Sequence, residues 1–177
     1  MSDRILPATP EAVSARKAGV ALDRIVIHTM EGSYEGSVRW ATYSRVQRAA
    51  SFQKRAGGTL DHWLASPLTV PTAAHYYVSR AGDCTQMVSD DRKCSHANDY
   101  NSRSIGIEHE GRAAVDDFPD AMLLKSASMV AWLCKKFKIP VDRQHIIGHV
   151  EVPGATHTDP GAYWPWERYM TMVKEAG

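Results

Sequence analysis

The sequence predicts a single-domain α/β protein, a β-sheet with helices packed against it. Three observations carry this expectation. A chain of 177 residues fits one domain, and that size buries roughly 70% of the unfolded surface. Short β-branched runs, DRIVIHT (23–29) and RQHIIGH (143–149), are separated by stretches with helical periodicity. In PDAMLLKSASMVAWLCKKFKI (119–139), Leu123, Ala127, Val130, Cys134 and Phe137 recur at spacings of three and four, the stripe of a helix lying on a core. Strands mixed with helices over one domain's length point to a layered α/β arrangement.

Taken in order, Ile25-Val26-Ile27 reads as a buried strand that ends at His28 and gives way to EGSYEG. SVRWATYSRVQRAASFQKR (37–55) reads as one helix, stopped by Gly57-Gly58. TLDHWLASPLTVPT (59–72) has two prolines and no clear period, so an irregular segment is expected. AAHYYVSR (73–80), the turn AGD and CTQMVS (84–89) read as a hairpin. SIGIEHEG (104–111) alternates, which places Ile105 and Ile107 on one face and Glu108 and Glu110 on the other. Pro119 and Asp120 suit the first turn of the 119–139 helix and Pro140 closes it. Trp132, beside its apolar stripe, is expected in the core. WPWERYMTMVK (164–174) reads as a final helix.

A formal charge of +1 argues against a nucleic-acid binder, which ordinarily carries a basic excess. No apolar run of about 18 residues exists to insert in a membrane. The stretch MSDRILPATPEAVSARKAGV lacks the basic-then-apolar pattern of a signal peptide, so synthesis in a cytoplasm is expected. Cys84, Cys94 and Cys134 are odd in number and show no C-x-x-C spacing, and are expected as free thiols.

Two strands end in histidine, at His28 and His149, where a sheet meets its loops and α/β proteins place their ligands. The loop GHVEVPGATHTDPG (148–161) then supplies Asp159. Two imidazoles and a carboxylate form the ligand set of a catalytic zinc site with one position open. Each residue taken alone fits a second reading better, with His28 bonded to backbone and Asp159 a turn former before Pro160.

The ordered blocks VIHT (26–29), AHYYV (74–78), NSRSIGIEHEG (101–111) and GHVEVPGATHTDPG (148–161) resemble the type 2 N-acetylmuramoyl-L-alanine amidases. That family shares its fold with peptidoglycan recognition proteins and includes many phage endolysins. The resemblance runs from residue 23 onward, leaving residues 1–22 as an N-terminal extension to a zinc amidase domain over 23–177. It implies a central mixed sheet flanked by helices. It also implies zinc-dependent cleavage of the amide between the lactyl group of N-acetylmuramic acid and L-alanine in peptidoglycan, most simply by a monomer. The implied metal ligands are His28, His149 and Asp159, and the implied catalytic glutamate is Glu108, with Glu110 its nearest rival. Some relatives carry a tyrosine where this chain has Ala74. Several carry a lysine, which stabilises the oxyanion, where this chain has His157. A histidine donates to an oxyanion in either charge state but more strongly as imidazolium, so a steeper loss of rate above neutral pH is expected than with lysine.

His75, His96 and Asn98 lie in blocks that line the substrate groove in similar proteins, and for His75 a satisfied structural histidine within a strand is an equal reading. The 45–72 segment is longer than in many relatives and is expected near the cleft. Its Arg45, Arg48, Lys54 and Arg55 fit either a solvated helix face or a wall that meets anionic polymer. The resemblance places the protein in a host cytoplasm until lysis, as an endolysin, with a muropeptide-recycling amidase or a non-catalytic peptidoglycan-binding module as alternatives.

Overall fold

The structure, a computed structural model, describes residues 2–115 and 117–177. Strands β1 (Arg4–Ile5) and β2 (Val13–Ala15) precede the central strand β3 (Arg24–Thr29). Helices α1 (Tyr34–Thr42), α2 (Arg45–Ala56) and α3 (Leu60–Ala65) follow. The hairpin of β4 (Tyr76–Val78) and β5 (Cys84–Gln86) leads to β6 (Arg92–Cys94) and β7 (Ser104–His109). Helix α4 (Asp120–Phe137), β8 (Ile146–Gly148) and α5 (Trp166–Glu175) complete the chain.

The main sheet is six-stranded and mixed, in the order β1-β5-β4-β7-β3-β8, and β2 pairs with β6 in a separate ribbon. The N-terminal residues thus supply an edge strand, β1, parallel to β5. At the centre, β3 lies parallel to both β7 and β8. Its run Ile25-Val26-Ile27 is buried on both faces, as a continuous β-branched strand in a parallel sheet requires. Ile25, Ile27, Ile105, Ile107 and Ile146 face α4 and α5, packing on Leu123, Val130, Leu133, Tyr169 and Val173. The opposite face carries the cleft.

The expected 37–55 helix is two helices. Ser44 breaks it with a capping box: its Oγ accepts from the Gln47 N–H (3.3 Å) and Gln47 Oε1 accepts from the Ser44 N–H (2.9 Å). The 59–72 segment also departs from expectation, because Thr59 caps α3 by accepting from the His62 N–H. Trp132 is not core but 38% exposed, with the Lys136 ammonium 4.6 Å from its ring centroid. It lies two positions beyond Val130, a rotation of about 200° that carries it off the buried stripe. Cys84, Cys94 and Cys134 are free and buried. Among the described residues no helix is long and apolar enough to cross a membrane.

Arg48 overturns the solvated-face reading at its own position. It is 1% exposed, and its guanidinium donates to the carbonyls of Trp40 (3.1 Å), Val70 (3.1 Å) and Thr72 (2.9 Å). It therefore ties α1 and α2 to the strap that leads into β4. Arg48→Met leaves buried carbonyls without donors and is expected to cost roughly 2–4 kcal/mol. A fall in the urea midpoint at unchanged slope checks this.

Candidate active site and metal centre

Strand register builds the site. Because β3 and β7 pair with His28 opposite Glu108, and β4 and β7 with Tyr77 opposite Glu108, these three side chains form one row on the cleft face. His149 begins the short turn after β8, the other neighbour of β3. The loop that follows folds back, and the Val150 N–H donates to the Asp159 carbonyl (3.0 Å). Gly148 permits that return, since a Cβ there would sit 2.6 Å from Pro160 Cδ.

Asp159 Oδ2 lies 2.9 Å from His28 Nδ1, and Asp159 Oδ1 lies 3.0 Å from His149 Nδ1. All three residues are buried, and their ligand atoms lie within 4.8 Å of one another. A tetrahedral ion with bonds of roughly 2.0–2.2 Å separates its ligands by about 3.3–3.6 Å, so this cluster fits one with small adjustment. Burial pushes the Asp159 carboxyl up, but opposing contacts, that with His149 foremost, hold it below the ordinary carboxylate range. The His28 imidazolium is disfavoured, first by burial. A buried carboxylate between two imidazole nitrogens matches the donor chemistry of zinc.

Glu108 stands beside this cluster, and its Oε2 is buried without a hydrogen-bond partner among the described residues. Burial, then the charges of Asp159 and Glu31, push its carboxyl up to about 8. It lines two adjoining cavities. One, of about 430 Å3, holds His28, His96, Asn98, His149, Thr156 and His157. The other, of about 580 Å3, runs past Glu108 to Trp40, Phe52, Arg55 and Leu68. Met30, Glu31, Thr72 and Tyr77 border both, which makes one elongated cleft with Glu108 at its middle.

Glu110, the expected rival, is fully engaged elsewhere. Its Oε1 accepts from the Tyr34 N–H and its Oε2 from the Arg80 N–H, each at 2.9 Å, beyond the end of β7. His157 is exposed and stacks on His149, with ring centroids 5.4 Å apart. Asn98 sits at the rim, its Nδ2 donating to the Gly154 carbonyl (3.1 Å).

His75 does not reach the cleft and is fully buried. Its Nδ1 accepts from the Gly106 N–H (3.0 Å), so its protonated Nε2 donates to the Arg92 carbonyl (3.0 Å). His75, Cys94 and His96 are close enough to suggest a second metal group. Both His75 nitrogens are already committed, the Arg16 guanidinium lies 3.0 Å from His75 Nε2, and burial pushes the Cys94 thiol far up. That set is a packed core and not a metal centre. His96 is partly exposed and lines the cleft while touching His28.

Sequence reasoning missed Glu31, which reaches Glu108 electrostatically while its Oε1 accepts from Thr29 Oγ1 and the Ala113 N–H. Nothing local in the sequence marks it, and its left-handed backbone (φ 52°) shows only in the fold. Of the four basic residues in the 45–55 stretch, Arg55 lines the cleft, its guanidinium 4.9 Å from the Phe52 ring centroid and 5.6 Å from that of Trp40.

Residues 18–162 match the family described as N-acetylmuramoyl-L-alanine amidase. The chain is 28% identical over 172 residues to N-acetylmuramoyl-L-alanine amidase A of Achromobacter lyticus, covering 86% of this chain and 84% of that protein. It is 30% identical over 132 residues to 1,6-anhydro-N-acetylmuramyl-L-alanine amidase AmpD of Haemophilus influenzae, covering 70% of each. A crystal structure of a selenomethionine AmpD derivative superposes with a TM-score of 0.72 at 21% identity, over 96% of this chain and 93% of that one, a likeness of fold.

Proposed function

Because the chain belongs to the N-acetylmuramoyl-L-alanine amidase family, we propose that it is a zinc-dependent hydrolase of the lactyl–L-alanine amide of peptidoglycan, working through His28, His149, Asp159, Glu108 and His157. The observation that carries this reading is the Glu108 carboxylate oxygen, buried without a partner among the described residues, in the same row as His28 and beside three convergent ligand atoms.

His28, His149 and Asp159 would hold the ion. A zinc ion so held supplies Lewis acidity, polarising the amide carbonyl and easing deprotonation of an attacking water. With a cation held beside it, which would favour its ionised form, Glu108 orients that water and accepts its proton as oxygen bonds to the lactyl carbonyl carbon. It then returns the proton to the alanine nitrogen as the carbon–nitrogen bond breaks. The products are a lactyl carboxylate and a peptide with a free amino terminus. His157, on the open side of His149, donates a hydrogen bond to the carbonyl oxygen as charge develops there. His157→Ala is therefore expected to lower kcat by roughly 10–100-fold with little change in KM. Steady-state kinetics on a muramyl-peptide check this, and an effect confined to KM would remove His157 from that role.

The proposed setting is cell-wall breakdown by an endolysin. The length of the cleft supports this, since it continues past Glu108 to Trp40 and Arg55. Recycling of soluble wall fragments is a second reading, favoured by the 30% identity to a relative named a 1,6-anhydro-muramyl amidase. Turnover of intact sacculi against soluble anhydro-muropeptide separates them, with new L-alanine amino termini as the readout. A preference for sacculi supports the endolysin. A preference for the soluble fragment moves the protein to recycling, and no new amino termini from either rejects the amidase reading.

A further inference from the structure

His96 was expected to contact substrate, but its ring is held from three sides by the protein. Asn101 Oδ1 accepts from the backbone N–H groups of His96 (2.9 Å) and Ala97 (2.7 Å). Gly106 makes room for the ring, since a Cβ there would sit 2.4 Å from His96 Nδ1. Ser104 Oγ lies 3.2 Å from His96 Nε2, and His28 Nε2 lies 3.1 Å from His96 Nδ1.

Hydrogen-bond direction along this chain follows from its far end. The Tyr100 carbonyl can only accept, and Ser104 Oγ is 2.6 Å from it, so the hydroxyl proton points there. The Ser104 oxygen then presents lone pairs to His96, whose Nε2 must carry the ring proton. A neutral imidazole has one such proton, which leaves His96 Nδ1 bare. His28 Nε2 is therefore the donor in the contact with His96 Nδ1. Its own Nδ1 is left with a lone pair directed at Asp159 Oδ2, 2.9 Å away. Two acceptors face each other there, an arrangement that a divalent cation held by His28 and Asp159 would relieve.

We propose that His96 is a positioning residue: with Ser104 it holds the proton of His28 on Nε2 and turns the bare Nδ1 toward Asp159, presetting the first ligand of the metal centre. The hydrogen-bond polarity stands on the contacts alone, and only its consequence for the ion rests on the zinc reading. Outer partners of this kind fix tautomer and ring orientation, and their loss typically weakens metal binding about 10–100-fold. A substrate-contacting histidine would instead change KM and leave metal affinity alone.

The test uses the whole chain as wild type, His96→Phe and Ser104→Ala. Ser104→Ala keeps the ring and removes only the group that sets its polarity, so it guards against a folding defect in His96→Phe. Zinc affinity, measured by competition with a chromophoric chelator, is expected to fall about 10–100-fold in both variants. Nitrogen-15 spectra of the histidine rings in the wild type are expected to show a proton on His28 Nε2 and none on His96 Nδ1, with or without zinc. Unchanged zinc affinity in both variants, with effects confined to KM, overturns the proposal. So does a metal-free wild type whose His28 is protonated on Nδ1 only. Failure of the wild type to bind zinc would count against the metal reading, and the ring spectra would still decide the relay.

Discussion

Replacing Glu108 with glutamine is expected to cut turnover severely while making the metal-free protein more stable at neutral and alkaline pH. Loss of a positioned general base costs about 100- to 10,000-fold in rate. The stability gain follows from the carboxyl's position, where burial and the nearby Asp159 and Glu31 charges push it up to about 8 from an ordinary 4.5. The folded protein therefore keeps a proton on Glu108 that the unfolded chain releases. Below about pH 4.5 both states are protonated at this residue and its ionisation costs folding nothing. As pH rises from there toward 8, stability is progressively lost, because the folded state must either hold the proton or bury the charge. Glutamine does not titrate, so the stability difference between variant and wild type is expected to widen between pH 5 and pH 8, by on the order of 2–4 kcal/mol. Urea unfolding of both metal-free proteins at the two pH values checks this. A difference that is flat with pH would mean that Glu108 sits in a wetter, better-solvated place than the cleft geometry indicates.

The second large effect is expected at Asp159, the residue that both histidines face. Asp159→Ala removes the only carboxylate from the ligand set, and zinc affinity is expected to fall by more than the 10–100-fold that outer-shell changes cost. Binding to the folded state alone stabilises by mass action, about 2.7 kcal/mol at a hundredfold excess over Kd. The wild type should therefore gain thermal stability on zinc addition and lose it on chelation, and Asp159→Ala should show neither response. An equal zinc-induced rise in Tm for the two proteins would place the ion elsewhere.

Much of this fold was legible because its central strands are local and strongly patterned. The β-branched run of β3, the alternation of β7 and the apolar stripe of α4 each declare themselves within a few residues. β1 and β2 did not, since two- and three-residue strands carry no period and exist only through partners some 80 residues away. The break between α1 and α2 was readable in principle, as Ser44 and Gln47 form a capping box, but helical periodicity on both sides masked it. Arg48 looked like part of a charged surface because its partners are backbone carbonyls, one of them 24 positions along the chain. At the site, the blocks led to His28, His149, Asp159 and Glu108, and register then placed His28 and Glu108 side by side. Alternation alone could not separate Glu108 from Glu110, because their difference lies in the backbone N–H groups that hold Glu110 and leave Glu108 Oε2 without a partner among the described residues. His75 stayed open between groove and structural readings for a similar reason: A-H-Y-Y-V does not alternate, so nothing local says how deep the ring lies. The contact of His96 with Ser104 joins β7 to the loop before it, and only the folded chain reveals its direction.

One measurement bears most directly on the claim that these residues form a single hydrolytic centre. Zinc-loaded wild type and zinc-loaded Glu108→Gln are each incubated with a purified muramyl-peptide, and the products are identified by mass spectrometry. The expected result is a lactyl acid and a peptide with a new L-alanine amino terminus from the wild type, and intact substrate from the variant at equal metal content. Cleavage by the variant at the wild-type rate, or wild-type cleavage at any other bond, would contradict it.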